Sequence, residues 1–305
     1  MVSGKNLCER KVEIMESSLK KISIGDVLII GFMIVLITLC ILPIMNVVAT
    51  AFSSSGAVIR NEVTFFPVEF QTQAFTEVLN DTRFMRSLVW TAILTAIVVV
   101  VNLTMTILCA YPLTYMSLKG RKIITFFIIF TMLFSAGLIP SFILFRDLGL
   151  LDNPLVLILP GMISVFNMII MRNFFIGIPD SLKESAEIDG AGPFTILVRI
   201  YLPLSTPVLA TVGLFYAVGR WNGFQDALFF LSGAPQWHPI QMLLYNILNN
   251  LTAVDAMDPG GMAPPGWGTT VEAAAIVIAM IPILCVYPFI QKYFVKGATL
   301  GAVKG

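Results

Sequence analysis

Six apolar stretches, each close to the length of a bilayer crossing, constrain this chain more than any other feature. A helix needs about 20 mostly apolar residues to span the hydrocarbon core. Residues 27–50, 87–111, 123–145, 154–171, 204–224 and 273–291 meet that requirement, the second stretch reaching as far as 118. They are apolar on most faces, so length and absence of charge identify them rather than helical periodicity. Composition agrees. Of the 305 residues, 57% are hydrophobic and only 12% charged, about half the charged share of a soluble domain. So few charges cannot cover a water-soluble globule of this size, which excludes a plain cytosolic enzyme and a disordered chain. The net charge of +1 leaves no basic footprint for nucleic acid. The expected fold class is all-α: a polytopic membrane protein with six transmembrane helices.

The first stretch is too long for the apolar core of a signal peptide and lacks a small-residue cleavage site, so it reads as a retained span. The chain divides into a charged N-terminal segment (1–25), the six-helix domain (26–295) and a short tail (296–305). Lys and Arg set the orientation. Fourteen of them fall on the side of the two termini and of the second and fourth loops. Four fall on the opposite side (Arg60, Arg83, Arg86 and Arg146), and Arg220 sits near a span end. Both termini are therefore expected in the cytoplasm. Five prolines interrupt the spans, at 43, 140, 160, 282 and 288. Membrane helices tolerate them because neighbours re-satisfy the backbone, and they read as ordinary kinks.

The outer loops differ. The first, 51–86, is mixed and charged, whereas the segment 255–267 is dense in Pro and Gly and predicts irregular backbone. Cys40, Cys109 and Cys285 lie inside apolar runs and Cys8 near the N-terminus. No CxxC pair or Cys/His cluster exists, so neither a metal site nor a disulfide framework is expected. His238, the only histidine, reads as a solvated loop side chain.

The most informative segment is the fourth loop, 178–204. It begins Ile178-Pro-Asp-Ser-Leu-Lys-Glu-Ser-Ala-Glu-Ile-Asp-Gly-Ala-Gly-Pro193 and ends Arg199-Ile-Tyr-Leu-Pro-Leu204. Its spacing predicts two short helices joined by a turn. Ser181 and Glu184 fit a capping box, with Asp180 an alternative cap. Gly190 is a natural helix stop, Pro193 suits the first position of the next helix, and that helix must bend or end near residues 201–203. The first helix is polar on most of its surface and too short to be stable alone in water. It must rest on the membrane headgroups or dock into another protein.

Glu184-Ser185-Ala186, then Asp189-Gly190-Ala191, then Ile200-Tyr201-Leu202-Pro203 resemble the EAA loop of ABC-importer permeases, with Ser185 in place of the commonest alanine. The tail from Lys296 and the Trp221-Asn222 pair resemble the MalG-like branch of carbohydrate permeases, and the likeness extends over about 26–305. The resemblance implies the MetI/MalG-like permease fold and residence in a prokaryotic plasma membrane. It implies half of a path for a carbohydrate, an oligosaccharide in the branch this chain is nearest. It implies four kinds of partner: a homologous second permease subunit, two cytoplasmic ATPases, an external solute-binding protein and the surrounding lipid. It gives Glu184, Ser185, Ala186, Asp189, Gly190, Ala191, Leu202 and Pro203 the role of seating the loop on the ATPase. The chain has no Gly-x-x-x-x-Gly-Lys-Ser/Thr phosphate loop. No cofactor is therefore expected on it, and ATP and Mg belong to the partner ATPase.

Polar side chains inside apolar spans are costly and often line a path. Asn46, Asn102, Asn167 and Arg220 are such groups, and Trp221, Asn222, Gln225 and Asp226 form the main candidate stretch for substrate contact. Asn222 and Asp226, four apart, would share a helix face. From Leu204 to Arg220 a helix rises about 24 Å, which puts Arg220 near an interface where it can snorkel, with Asp226 already in water. Two other function classes remain open here. An ion-gradient-driven secondary transporter would show inverted repeats and mid-depth ionisable residues. A membrane enzyme would show a catalytic constellation. None of these features is visible.

Overall fold

The computed structural model describes residues 24–134, 136–250 and 268–302. The expectations for the N-terminal charged segment, the Pro/Gly-rich outer loop and the last three residues fall outside them. Every regular element among the described residues is helical. Helix α1 (Ile24–Ala51) leaves its apolar side chains outward, Val27, Phe32 and Leu39 among them, and packs mainly on α13 (Thr269–Ala302). Two short helices, α2 (Ser55–Ile59) and α3 (Gln73–Asn80), lie in the connection to the next long helix. That connection is stapled by Arg60, which bonds Glu62 at 2.8 Å and Glu69 at 3.0 Å; Arg60 holds the Glu62 carboxyl below the usual range, and the Ser54 hydroxyl together with Arg60 does the same for Glu69.

Helix α4 (Thr82–Ala110) is the central strut. Asp81 caps it, accepting from the Arg83 and Phe84 amides at 2.8 and 3.0 Å. Its buried residues, from Phe84 through Leu94, Val98, Asn102 and Thr106 to Ala110, recur at steps of three and four, one continuous stripe within a run that is apolar all round. The stripe packs against α7 (Val165–Ile176) and α10 (Thr206–Asn222).

Among the described residues three helices pass as single spans by length and apolarity: α1, the α4 segment Thr82–Thr114, and the Thr269–Val286 part of α13. Two further expected spans are bent pairs. The third is α5 (Arg121–Leu133) followed by α6 (Leu138–Asp147), inclined at 111°. The fifth is α9 (Pro193–Leu204) followed by α10, inclined at 84°. The fourth differs from the continuous helix expected over 154–171. A 3-10 turn at Pro154–Leu157 is followed by irregular backbone over 158–164, and α7 begins only at Val165. Pro160 and Gly161 sit in that break, where one removes a donor and the other lacks a side chain to pack. Pro140 falls in the first turn of α6, where the missing N–H costs nothing, and Pro43 and Pro282 lie inside α1 and α13. The last helix continues to Ala302, so most of the Gly-rich tail extends a span, although it would not hold a helix alone.

Three apolar clusters stack along the molecule. One joins α3, α12 (Ile240–Asn250) and the alanines of α13. A middle one joins Leu94, Val98, Leu157 and Phe230. The third joins the end of α4 with α7, α9 and α10 through Tyr111, Phe175, Tyr201 and Val212.

Candidate functional site

The loop singled out by its sequence stands at the end of the third cluster. Helix α8 spans Asp180–Ile188 and starts after Pro179, which offers no side-chain cap. The expected capping box does not form: Ser181 is already inside the first turn, and its carbonyl accepts from the Ser185 hydroxyl at 2.7 Å. Asp180 in the first turn instead complements the helix dipole. Glu184 is consequently not folded back on its own helix. It is exposed and has no hydrogen bond or ion pair among the described residues.

The other end of α8 follows a Schellman pattern. The Ala191 amide donates to the Ala186 carbonyl at 2.9 Å, and the Gly190 amide to that of Glu187 at 3.1 Å. Gly190 has φ +80°, the left-handed conformation the motif requires and glycine adopts without strain. Ala186 and Ala191 both pack on the third cluster, while Glu184, Ser185, Asp189 and Gly190 face outward. One side of the motif is thus an anchor and the other a presented surface.

Helix α9 opens with Pro193 at its first turn and widens into a π turn over Leu197–Tyr201. The Leu202 amide reaches back to Leu197, and the widening gives the Pro203 ring room that a regular α turn would deny it. Tyr201 is 3% exposed and stands edge-on to Tyr111 and Phe175, with centroids 5.1 and 5.5 Å away. Leu202 is partly buried and Pro203 exposed. The sharp bend into α10 falls at buried Ser205.

A second site lies farther along the bundle. A cleft of about 470 Å³ is walled by Val98 and Asn102 of α4, the irregular segment around Gly161 and Ser164, Asn167 of α7, and Tyr216 and Arg220 of α10. Irregular backbone at membrane depth is tolerated only where it is buried in protein or lines a wet cavity. Asn102 donates to the Gly161 carbonyl at 2.9 Å. Tyr216 shares a proton with Thr106 at 2.7 Å and accepts from the Ser164 amide at 3.0 Å. Asn102 Oδ1 and Arg220 Nε are buried and unpartnered among the described residues, one an acceptor and one a donor.

The candidate stretch 221–226 is split by the fold. The helix stops at Asn222 and restarts as α11 (Gln225–Phe230), so Asn222 and Asp226 do not share a face. The extended backbone of Gly223, at φ −76° and ψ 128°, makes that break. Asn222 and Gln225 are exposed, and Asn222 returns its amide to Val218 at 3.0 Å. Trp221 is buried and donates to the Ala279 carbonyl of α13 at 3.2 Å. Only Asp226 reaches the cleft. It pairs bidentately with Arg220 at 2.5 and 3.0 Å. Arg220 does not snorkel; it is 8% exposed and also donates to the carbonyls of Leu157 and Gly223. Asn46 ties α1 to the outer connection through the Thr64 carbonyl.

Two buried ionisable groups differ from or escape the sequence expectation. His238 is 3% exposed rather than solvated, and Nε2 donates to the Leu231 carbonyl at 2.8 Å. Glu272, at the start of α13, is 5% exposed. Its isolated position at the head of an apolar run is the one signal that marked it.

A bundle of apolar helices, a presented polar helix and a cleft in which a few polar groups stand among apolar walls are the features of a multi-pass membrane protein. Residues 102–299 match the family described as "Binding-protein-dependent transport system inner membrane component". The polygalacturonan/rhamnogalacturonan transport system permease protein YtcP of Bacillus subtilis is 42% identical over 282 residues, covering 92% of this chain and 98% of that protein. Protein LplC of the same organism is 42% identical over 267 residues, 87% of this chain and 90% of LplC. A crystal structure of a bacterial ABC transporter involved in the import of the acidic polysaccharide alginate has a TM-score of 0.78 at 33% identity, covering 96% of this chain and all of that one. The chain belongs to the binding-protein-dependent transport system inner membrane components, the permease subunits of ABC importers, and is not an enzyme.

Proposed function

We propose that this chain is one of two permease subunits of an ATP-driven oligosaccharide importer. Its segment 178–204 seats a separate ATPase, and its cleft forms part of the solute path. The observation that carries the docking assignment is the two-sided build of α8: Ala186 and Ala191 anchored on the bundle, Glu184, Ser185 and Asp189 presented outward. A short polar helix held in this way fits a cleft on a partner. A homologous permease would complete the path, two ATPases would hold ATP and Mg, and an external binding protein would deliver the solute. The Lys and Arg distribution supports a cytoplasmic position for α8 and both termini. In the cleft, unpartnered Asn102 Oδ1 and Arg220 Nε–H suit hydroxyl groups, which donate and accept at once. A relative named for polygalacturonan/rhamnogalacturonan transport and a structure involved in import of the acidic polysaccharide alginate make acidic oligosaccharides the first substrates to test.

Glu184→Ala is the test of docking. Losing one partner of a buried interface charge pair costs about 2–5 kcal/mol, whereas the Glu184 side chain has no hydrogen bond or ion pair among the described residues to lose. The variant should insert and pair with its sister permease, yet lose ATPase co-purification or uncouple hydrolysis from uptake. Normal co-purification, normal hydrolysis stimulated by the loaded binding protein and normal uptake would together refute the assignment.

A further inference from the structure

One charged side chain of α8 is turned away from the presented face. Lys183 Nζ stands 3.8 Å from the centroid of the Tyr115 ring and 3.8 Å from Glu187 Oε1. Its side chain is only 21% exposed, although Glu184 beside it is open. The ring beneath it is itself fixed. Tyr111 and Tyr115 hydroxyls meet at 2.5 Å, and Tyr111 donates to the Pro193 carbonyl at 2.9 Å. A carbonyl only accepts, so the single Tyr111 proton goes to Pro193 and Tyr115 is the donor to Tyr111. Two phenol rings thereby join α8, the first residue of α9 and the end of α4.

From that junction α4 leads to the cleft. Thr106, one turn before Ala110, bonds Tyr216, which receives the Ser164 amide. Asn102, one turn farther, bonds Gly161. A helix is stiff over this length, so a shift at Tyr111 is carried to Asn102 rather than absorbed. The remaining anchor of α8, the Ala186–Ala191 contact, is apolar and non-directional. The cation on Tyr115 is a directional side-chain contact between α8 and the segment that ends α4.

We infer that Lys183 is a positioning residue of the transport cycle: its ammonium on Tyr115 passes displacement of α8 to α4, the helix that walls the cleft. The inference rests on α8 being the ATPase-docking helix. A cation–π contact biases an equilibrium by about two- to thirtyfold, depending on its desolvation. That is too little to decide folding of the bundle and enough to decide how faithfully a short helix transmits movement. Such coupling is read as an interaction between substitutions.

The experiment reconstitutes the complete transporter in lipid vesicles, with sister permease, ATPases and binding protein, and reads solute imported per ATP hydrolysed. Lys183→Met keeps the stem and removes the charge. It should lower that ratio by about fivefold with subunit co-purification unchanged. Lys183→Arg, whose guanidinium also seats on aromatic rings, should restore it. Tyr115→Leu should reproduce the loss, and the double variant Lys183→Met/Tyr115→Leu should be no worse than either single change. Lys119→Met, at a cation preceding α5 rather than on α8, should leave the ratio unchanged. A wild-type ratio in Lys183→Met overturns the inference, as do additive losses in the double variant or an equal loss in Lys119→Met. Failure of the docking assignment has a different signature, intact ATPase co-purification and coupling in Glu184→Ala.

Discussion

Alanine at Gly190 isolates a backbone effect from every other effect in the loop. Gly190 has φ +80°, and a Cβ built there meets nothing within 4 Å. The substitution therefore creates no clash, and its cost is the left-handed conformation itself, about 1–2 kcal/mol. The chain can avoid that cost only by leaving the Schellman geometry. That surrenders the Ala191–Ala186 and Gly190–Glu187 hydrogen bonds and frees the end of α8. A change of 1–2 kcal/mol reduces the correctly turned conformer by about 5- to 30-fold relative to alternatives. Gly192, two residues on, supplies the internal control. It also has open space around its Cβ position, but its φ is −72° with ψ 162°, which alanine adopts freely and which suits the residue before Pro193. Gly192→Ala should be neutral or slightly stabilising, by about 0.4–1 kcal/mol, through its effect on the unfolded chain. Asparagine tolerates the left-handed region better than alanine, so Gly190→Asn should fall between wild type and Gly190→Ala. The assay is ATPase affinity for the permease pair in nanodiscs, with thermal unfolding measured on the same samples. Equal affinity for Gly190→Ala and Gly192→Ala would refute the argument, because the two differ in φ and not in available space.

Three further outcomes are expected. Asp226→Ala should destabilise the bundle by about 3 kcal/mol, the low end for a broken buried pair, because the Asp226 side chain is 32% exposed whereas that of Arg220 is 7%. Arg220→Met, which leaves only the wetter partner, should cost less, and equal losses in thermal unfolding would contradict the asymmetry. His238 lies between α11 and α12, and burial holds its pKa below the ordinary 6.5. Its Nδ1 is buried without a partner among the described residues, so protonation there is unfavourable in the folded state. The unfolded chain therefore takes up the proton first, and stability is full above about pH 6.5 and is lost as the pH falls below it. His238→Gln should flatten that part of the stability–pH curve. Reporter fusions at Gly120 and Gly192 should report cytoplasm and one at Gly260 the outside, and a cytoplasmic signal at Gly260 would overturn the orientation.

The loop 178–204 was the most legible part of the chain because its determinants are local. Gly190, Pro193 and Pro203 each act through φ, a missing donor or a ring clash within a few residues, and the structure places a turn at the first, a helix start at the second and a π turn just before the third. The capping box failed for an equally local reason. Pro179 takes the cap position and the helix begins at Asp180, two residues before a Ser181 cap would allow, so Ser181 never occupies the cap. The cleft was less legible. Its walls come from residues as far apart as Asn102, Ser164, Arg220 and Asp226, and no spacing rule connects them. The sequence predicts one span over 204–224 and a helix face shared by Asn222 and Asp226. One extended residue, Gly223, undoes that face and turns Asp226 back onto Arg220.

The sequence by itself determined that the chain is helical and lives in a membrane. Transfer free energy is a sum over residues, and 57% hydrophobic content in runs of span length leaves no soluble alternative. It also determined where α8 stops, since a positive φ belongs to glycine wherever the rest of the chain goes. Only the tertiary structure decided which faces of apolar helices are buried, because a run that is apolar all round carries no moment to orient it. The stripe along α4 exists because α7 and α10 pack against it. The same holds for charge. His238 and Arg220 look like loop and interface residues in one dimension, and they are buried because segments far away in the chain, including Thr91, Leu157 and Trp90, close over the elements that carry them.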